Sequence, residues 1–134
     1  MRDVVNSDAY DVPFAGTFTQ AVRVEAGIGL LFVSGLTARD KDGVIQGAGD
    51  VGAQTDVILT QLGHIAGAAG ASLDDVIKVT VFVRDSRYMP AVREVKQKHF
   101  GEPGPASTTV EVSGLFDPAQ LIEIEAVVAL EARR

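Results

Sequence analysis

The sequence predicts an α+β fold in which a mixed β-sheet carries two helices on one of its faces. Segments typical of strands alternate with two segments that have the period of amphipathic helices, in the order β-β-α-β-α-β-β. The chain has 134 residues, of which 46% are hydrophobic. This size and composition suffice for one core, so we expect residues 1–134 to form a single domain.

The first two strands are predicted to form a hairpin. TFTQAVRVEAG alternates and then breaks at Gly27, and the nearly all-apolar run IGLLFVSG follows and ends at Gly35. A short continuous apolar run is typical of a strand buried on both faces. We therefore expect the second strand to be buried on both sides, with a turn at Asp42-Gly43 after it.

Two helices are predicted from the spacing of apolar residues. The first begins after an N-cap at Asp50 and ends with a C-cap at Gly70. Its expected buried positions are Val51, Thr55, Ile58, Leu62, Ile65 and Ala69. The second spans residues 86–100 with Pro90 in its first turn, where proline is tolerated. Its expected buried positions are Tyr88, Val92, Val95 and Phe100.

The remaining strands place apolar residues on both faces of the sheet. VIKVTVFVRD is predicted to bury Ile77, Val79, Val81 and Val83 on one side, and ASTTVEV and QLIEIEAVVAL follow as two more strands. Two helices can cover only one face of such a sheet. The other face stays largely apolar, so we expect it to be an interface between copies of the chain.

Charge and composition exclude several function classes. The absence of cysteine removes disulfides, thiolate nucleophiles and zinc-thiolate sites, and it fits a reducing cytoplasm. A net charge of −6 disfavours binding to nucleic acid. The longest apolar stretch, Ile28 to Val33, is too short to span a bilayer, and no signal peptide is apparent. We expect a soluble cytoplasmic protein without nucleic-acid or membrane partners.

Few side chains are candidates for chemistry. Glu123 and Glu125 stand two residues apart, on one strand face and about 7 Å from each other, so they either face solvent or line a pocket. In a pocket, one of them could act as a general acid or base or position a water. His64 and His99 are isolated from other metal-binding side chains, so no metal site is expected. Ser34 and Gly35 end a strand, either as a plain turn or with the hydroxyl presented to a ligand.

Taken together, these motifs resemble the Rid family, also called YjgF or L-PSP, the reactive-intermediate deaminases. The resemblance runs from Phe18 to Val128 through LFVSG, GDVGAQT, AAGASLDDVIKVTVFVRD, KHFG, PASTTVEV and LIEIEAVVAL, in the family's order. It implies a chorismate-mutase-like fold and a homotrimer whose sheets line a central barrel, with three pockets between subunits. It also implies hydrolysis of small enamines and imines without a metal or cofactor.

The resemblance also implies roles for individual residues. Glu123 corresponds to the glutamate that positions the attacking water, and Ser34 and Gly35 correspond to the family's serine-glycine pair. The other pocket residues that the resemblance implies are Phe18, Ser107, Thr108 and Thr109. A tyrosine is common at the position of Phe18, and the backbone amides near Thr109 are expected to polarise the substrate.

Ser107 departs from the family pattern, because related proteins carry at this position an arginine that binds the substrate carboxylate through two hydrogen bonds. Losing such a contact costs about 2–5 kcal/mol of binding, so a typical 2-aminoacrylate deaminase is not expected. Three hypotheses follow: a divergent hydrolase or deaminase whose substrate lacks that carboxylate, compensation by another arginine, for which Arg93 is the candidate, or a trimer that binds a small metabolite without catalysis.

Overall fold

The computed structural model describes residues 2–9 and 18–131 of the chain. The main elements are β1 (Arg2–Val5), β2 (Ala21–Val24), β3 (Gly29–Leu36), α1 (Val51–Ala68), β4 (Val76–Val83), α2 (Met89–Phe100), β5 (Ala106–Glu111) and β6 (Ile122–Leu130). Short 3-10 turns at Leu73–Asp75 and Ser86–Tyr88 precede β4 and α2. This order of strands and helices confirms the predicted α+β fold.

Four strands form the main sheet, in the order β3-β6-β4-β5. The β3–β6 and β6–β4 pairs are antiparallel and the β4–β5 pair is parallel, so the sheet is mixed as predicted. A parallel pair needs a crossover connection, and α2 provides it between β4 and β5. β3 and β5 thus lie at opposite edges of the sheet.

Both helices pack on one face of this sheet, which confirms the predicted two-layer arrangement. The strand residues buried beneath them are Val76, Val79, Val81, Val83, Ile122, Ile124, Ala126 and Val128. We call the opposite side the open face, formed by Leu30, Phe32, Thr80, Phe82, Thr108, Val110, Glu123 and Glu125. It keeps large apolar residues exposed, including 75% of Phe32.

The helix boundaries agree closely with the sequence, because capping depends on nearby residues. Asp50 is the N-cap of α1 and accepts a hydrogen bond of 3.0 Å from the backbone N–H of Ala53. The C-cap is Ala69, one residue before the predicted Gly70, and Gly70 itself has the positive φ of 81° that stops the helix. Pro90 lies in the first turn of α2, as expected.

The predicted hairpin of β2 and β3 is wrong. β2 pairs with β1 in a separate two-stranded sheet, whereas β3 pairs with β6. β3 is also not buried on both faces, because it lies at the edge of the main sheet and the helices cover only one side.

Smaller corrections concern the faces and limits of the elements. An irregularity between Val76 and Lys78 shifts the register, so Val76 takes the buried position predicted for Ile77. Ala69 is exposed, since it caps α1 and does not continue its buried side. α2 begins at Met89 because Ser86–Tyr88 form a 3-10 turn capped by Asp85. In the described ranges, no helix is long and apolar enough to cross a membrane.

Candidate active site

Glu123 lies on the open face and packs against the backbone of Gly35. It pairs with Phe82 on β4 and is half-buried. A methyl group added to Gly35 would overlap Oε2 of Glu123 and lie 2.9 Å from its Cδ. The regular pairing of β3 with β6 is interrupted between Val33 and Leu36, and this irregularity contains Gly35. The structure therefore brings the carboxylate and the serine-glycine pair together.

The neighbouring acid has a different environment. Glu125 pairs with Thr80 one step further along the same face, and it is exposed. Ser34, the other half of the serine-glycine pair, is exposed as well. Of the two carboxylates, Glu123 alone is held against the irregular segment of β3, and it is the stronger candidate for chemistry.

Ser107 lies on the other side of the sheet and contacts a buried lysine. The Nζ of Lys96, on α2, donates a hydrogen bond of 2.9 Å to the Oγ of Ser107, and Lys96 is only 7% exposed. Sequence reasoning missed Lys96. The signal was its spacing, because Val92, Lys96 and Phe100 follow one another at four-residue intervals, and all three are buried.

The surroundings of Lys96 are positively charged. Burial, together with the nearby charges of Arg93 and Lys78, lowers the pKa of Lys96 from its usual 10.5 to about 8. Lys78 in turn donates a hydrogen bond of 2.6 Å to Oγ1 of Thr108. We call Lys78, Arg93 and Lys96 the basic cluster. It lies beside the first residues of β5, which include Ser107 and Thr108.

Thr109 belongs to β5, and Phe18 lies beside the start of this strand. Phe18 is half-buried and precedes Thr19, which forms an isolated bridge with Ala106 and donates its N–H to the carbonyl of Pro105 at 3.3 Å. Thr109 pairs with Val81 and is exposed at the sheet edge. These residues, Ser107 and Thr108 thus form one group along β5.

The predicted site residues therefore fall into two groups within one chain. Ser34, Gly35 and Glu123 lie along β3 and β6, and the second group lies along β5 with Arg93 on the adjacent helix. Glu123 on β6 is two strand spacings from β5, roughly 10 Å, and Ser34 and Gly35 on β3 are three spacings away, roughly 14 Å. Glu123 faces the open side, whereas Ser107 faces α2. In the described part of the chain, the two groups therefore lie apart.

Known proteins of similar sequence and structure place this chain in a family. Residues 11–130 match the family model described as Endoribonuclease L-PSP. The chain is 41% identical over 128 residues to the RutC family protein PH0854 of Pyrococcus horikoshii, covering 95% of this chain and 97% of the relative. It is 39% identical over 98 residues to the 3-aminoacrylate deaminase RutC of Acinetobacter baylyi, covering 73% and 77%.

A solved structure agrees with these matches. The Rid family protein YyfB of Yersinia pestis superposes with a TM-score of 0.85 at 28% identity, covering 96% of this chain and 98% of that protein. Sequence and structure thus confirm the resemblance drawn from the motifs. The chain belongs to the Rid (YjgF/L-PSP) family, which includes deaminases.

Proposed function

We propose that the protein hydrolyses a small enamine, imine or related C–N compound in a pocket between subunits of a homotrimer. The observation that carries this proposal is the placement of Glu123, a half-buried carboxylate held against the backbone of Gly35. The relative from Acinetobacter baylyi, named a 3-aminoacrylate deaminase, supports the same reaction class, since 3-aminoacrylate is an enamine.

The proposed chemistry needs only water and a base. Protonation of an enamine at carbon, with loss of a proton from nitrogen, gives the imine, and water then adds to the imine carbon. Glu123 orients this water, accepts its proton and passes it to the nitrogen, which leaves as ammonia when the remaining hydroxyl gives up its proton and the carbonyl forms. The overall reaction of an imine with water to give a carbonyl compound and ammonia balances without a metal or cofactor.

Assembly would complete the pocket. Glu123 and the residues along β5 are separated within one chain, and the open face exposes apolar side chains that a second copy would cover. In a trimer, Glu123 on the open face of one subunit would meet the edge strand β5 of the next, so that Phe18, Ser107, Thr108 and the backbone near Thr109 line the same pocket. Ser34 would line the same pocket.

Ser107 stands where the resemblance to the Rid family implies an arginine. A neutral hydroxyl cannot form the two charged hydrogen bonds that a guanidinium offers to a carboxylate. This observation favours a second candidate function, a trimer that binds a small metabolite without turning it over.

The test is ammonia release from 2-iminopropanoate generated in situ. We expect Glu123→Ala to lower turnover by about a hundredfold or more, because a general base contributes at least that much. Glu125→Ala, two residues away on the same face and exposed, is the matched control and should keep wild-type turnover.

A second pair of variants separates the two candidate functions. Ser107→Arg should raise turnover, and adding Glu123→Ala should abolish the gain. If the wild type already matches an arginine-bearing relative, the guanidinium is not needed. No turnover by the wild type or by Ser107→Arg, together with thermal stabilisation by a metabolite, would favour the binding function.

A further inference from the structure

We propose that Lys96, acting together with Ser107, binds the carboxylate of the ligand in this pocket. The inference deepens the proposed function and relies on it for the identity of the ligand. It makes a lysine from α2, in place of an arginine from β5, the residue that selects an acidic substrate.

The first argument is that the Lys96 ammonium is buried with unused donors. An ammonium has three N–H donors. In the part of the chain that the structure describes, the Oγ of Ser107 is the only acceptor within hydrogen-bond distance of Nζ. Within the same residues, no carboxylate lies within 4.0 Å to form an ion pair with Lys96. A buried ammonium without a nearby carboxylate costs free energy, and an anionic ligand bound to it would reduce that cost.

The second argument is the charge of the surroundings. Arg93 and Lys78 are close enough to repel the Lys96 ammonium, although the whole chain carries a net charge of −6. Three cations gathered in an acidic protein create a local positive potential that attracts anions. Attraction of a carboxylate therefore follows from the cluster as a whole, and Lys96 supplies its buried member.

The ligand is expected to be a small carboxylate. Ser107 is half-buried, so an anion that reaches its hydroxyl also comes within range of the ammonium 2.9 Å away. Lysine is a point charge without the planar fork of arginine, so it accepts more ligand orientations and binds less tightly. Carboxylated enamines and imines would therefore remain substrates, with weaker binding than in relatives that carry the arginine.

The experiment measures binding of pyruvate, the keto acid that hydrolysis of 2-iminopropanoate would release, by NMR titration of the full-length protein. Its neutral analogue pyruvamide is titrated in parallel. We expect Lys96→Met to weaken pyruvate binding about tenfold or more, and pyruvamide to bind at least tenfold more weakly than pyruvate. Lys98→Met is the matched control, because Lys98 lies on the same helix with 69% of its side chain exposed.

Several outcomes would overturn the inference. They are wild-type affinity in Lys96→Met, equal loss in Lys98→Met, no pyruvate binding by the wild type, and equal binding of pyruvate and pyruvamide. The last two comparisons need only the wild type, so they hold even if a variant fails to fold. Lys96-dependent pyruvate binding without any ammonia release would support this inference while rejecting the proposed catalysis.

Discussion

Gly35 is the residue on which the position of Glu123 depends most directly. Any side chain at this position would occupy the space of the Glu123 carboxylate. We predict that Gly35→Ala lowers ammonia release on the order of a hundredfold, because a displacement of about 1 Å at a catalytic group has effects of that size. Stability should change by less than about 1 kcal/mol, since the displaced atoms end a flexible side chain.

Gly29→Ala provides the control for this prediction. Gly29 lies on the same strand, and a methyl group there would meet the Cβ of Leu130 at an ordinary 3.5 Å. Turnover should match the wild type in Gly29→Ala. Full activity in Gly35→Ala, measured in the same assay with folding checked by circular dichroism, would show that the Glu123 carboxylate does not need its present position.

At the residue scale, the sequence identified what local motifs encode and missed what packing creates. Glu123, Ser34 and Gly35 were named from short patterns, and the contact of Glu123 with Gly35 agrees with that grouping. Lys96 was missed because its importance arises from the packing of α2 against β5, whose contacting residues are 11 positions apart in the chain. A lysine on a helix is usually solvated, so its residue type argued against burial.

The helix α2 is unusual because its buried side includes a charged residue, Lys96. The pKa of Lys96 falls from 10.5 to about 8 on folding, mainly through burial and further through Arg93 and Lys78. Between these two pH values the unfolded chain keeps a proton that the folded chain has released. The free energy of unfolding therefore rises with pH between about 8 and 10.5. Below about pH 8 the folded protein bears the full cost of burying the Lys96 ammonium.

We predict that Lys96→Met stabilises the protein at pH 7 by up to about 3 kcal/mol and that this gain disappears near pH 10.5. The measurement is urea unfolding from pH 7 to 10.5 at fixed protein concentration, in buffers without carboxylate or phosphate. Lys98→Met, on the exposed side of α2, should differ from the wild type by an amount that hardly changes with pH. A constant difference for Lys96→Met would contradict the buried charge.

The sequence predicted an element well when the contacts that define it join residues close together in the chain, and poorly when they join distant residues. The N-cap at Asp50 depends on a residue three positions away, and it was predicted correctly. The partner of β2 depends on β1, about 20 residues earlier in the chain, and the predicted hairpin with β3 was wrong. The alternation of apolar and polar residues in β4 also does not reveal the irregularity at Ile77. Because of this irregularity, Val76 takes the core position.

At the scale of the whole molecule, the open face is the feature that a single chain leaves unexplained. The apolar character of this face was predicted from β6 and is present in the structure, where Leu30, Phe32 and Val110 are exposed. Exposed apolar patches of this kind mark interfaces in soluble proteins. Together with the separation of Glu123 from the residues along β5, this exposure supports the proposed assembly, in which a second copy would complete the pocket.

We predict that Phe32→Asp converts a trimer into monomers, because it places a charge at the most exposed apolar side chain of the open face. Light scattering coupled to size-exclusion chromatography measures the mass, and the ammonia assay measures turnover in the same fractions. Val44→Asp is the control, since Val44 is also apolar and exposed but lies in the loop between β3 and α1. Monomers that keep wild-type turnover would reject the pocket between subunits, and a Phe32→Asp trimer would reject the open face as the interface.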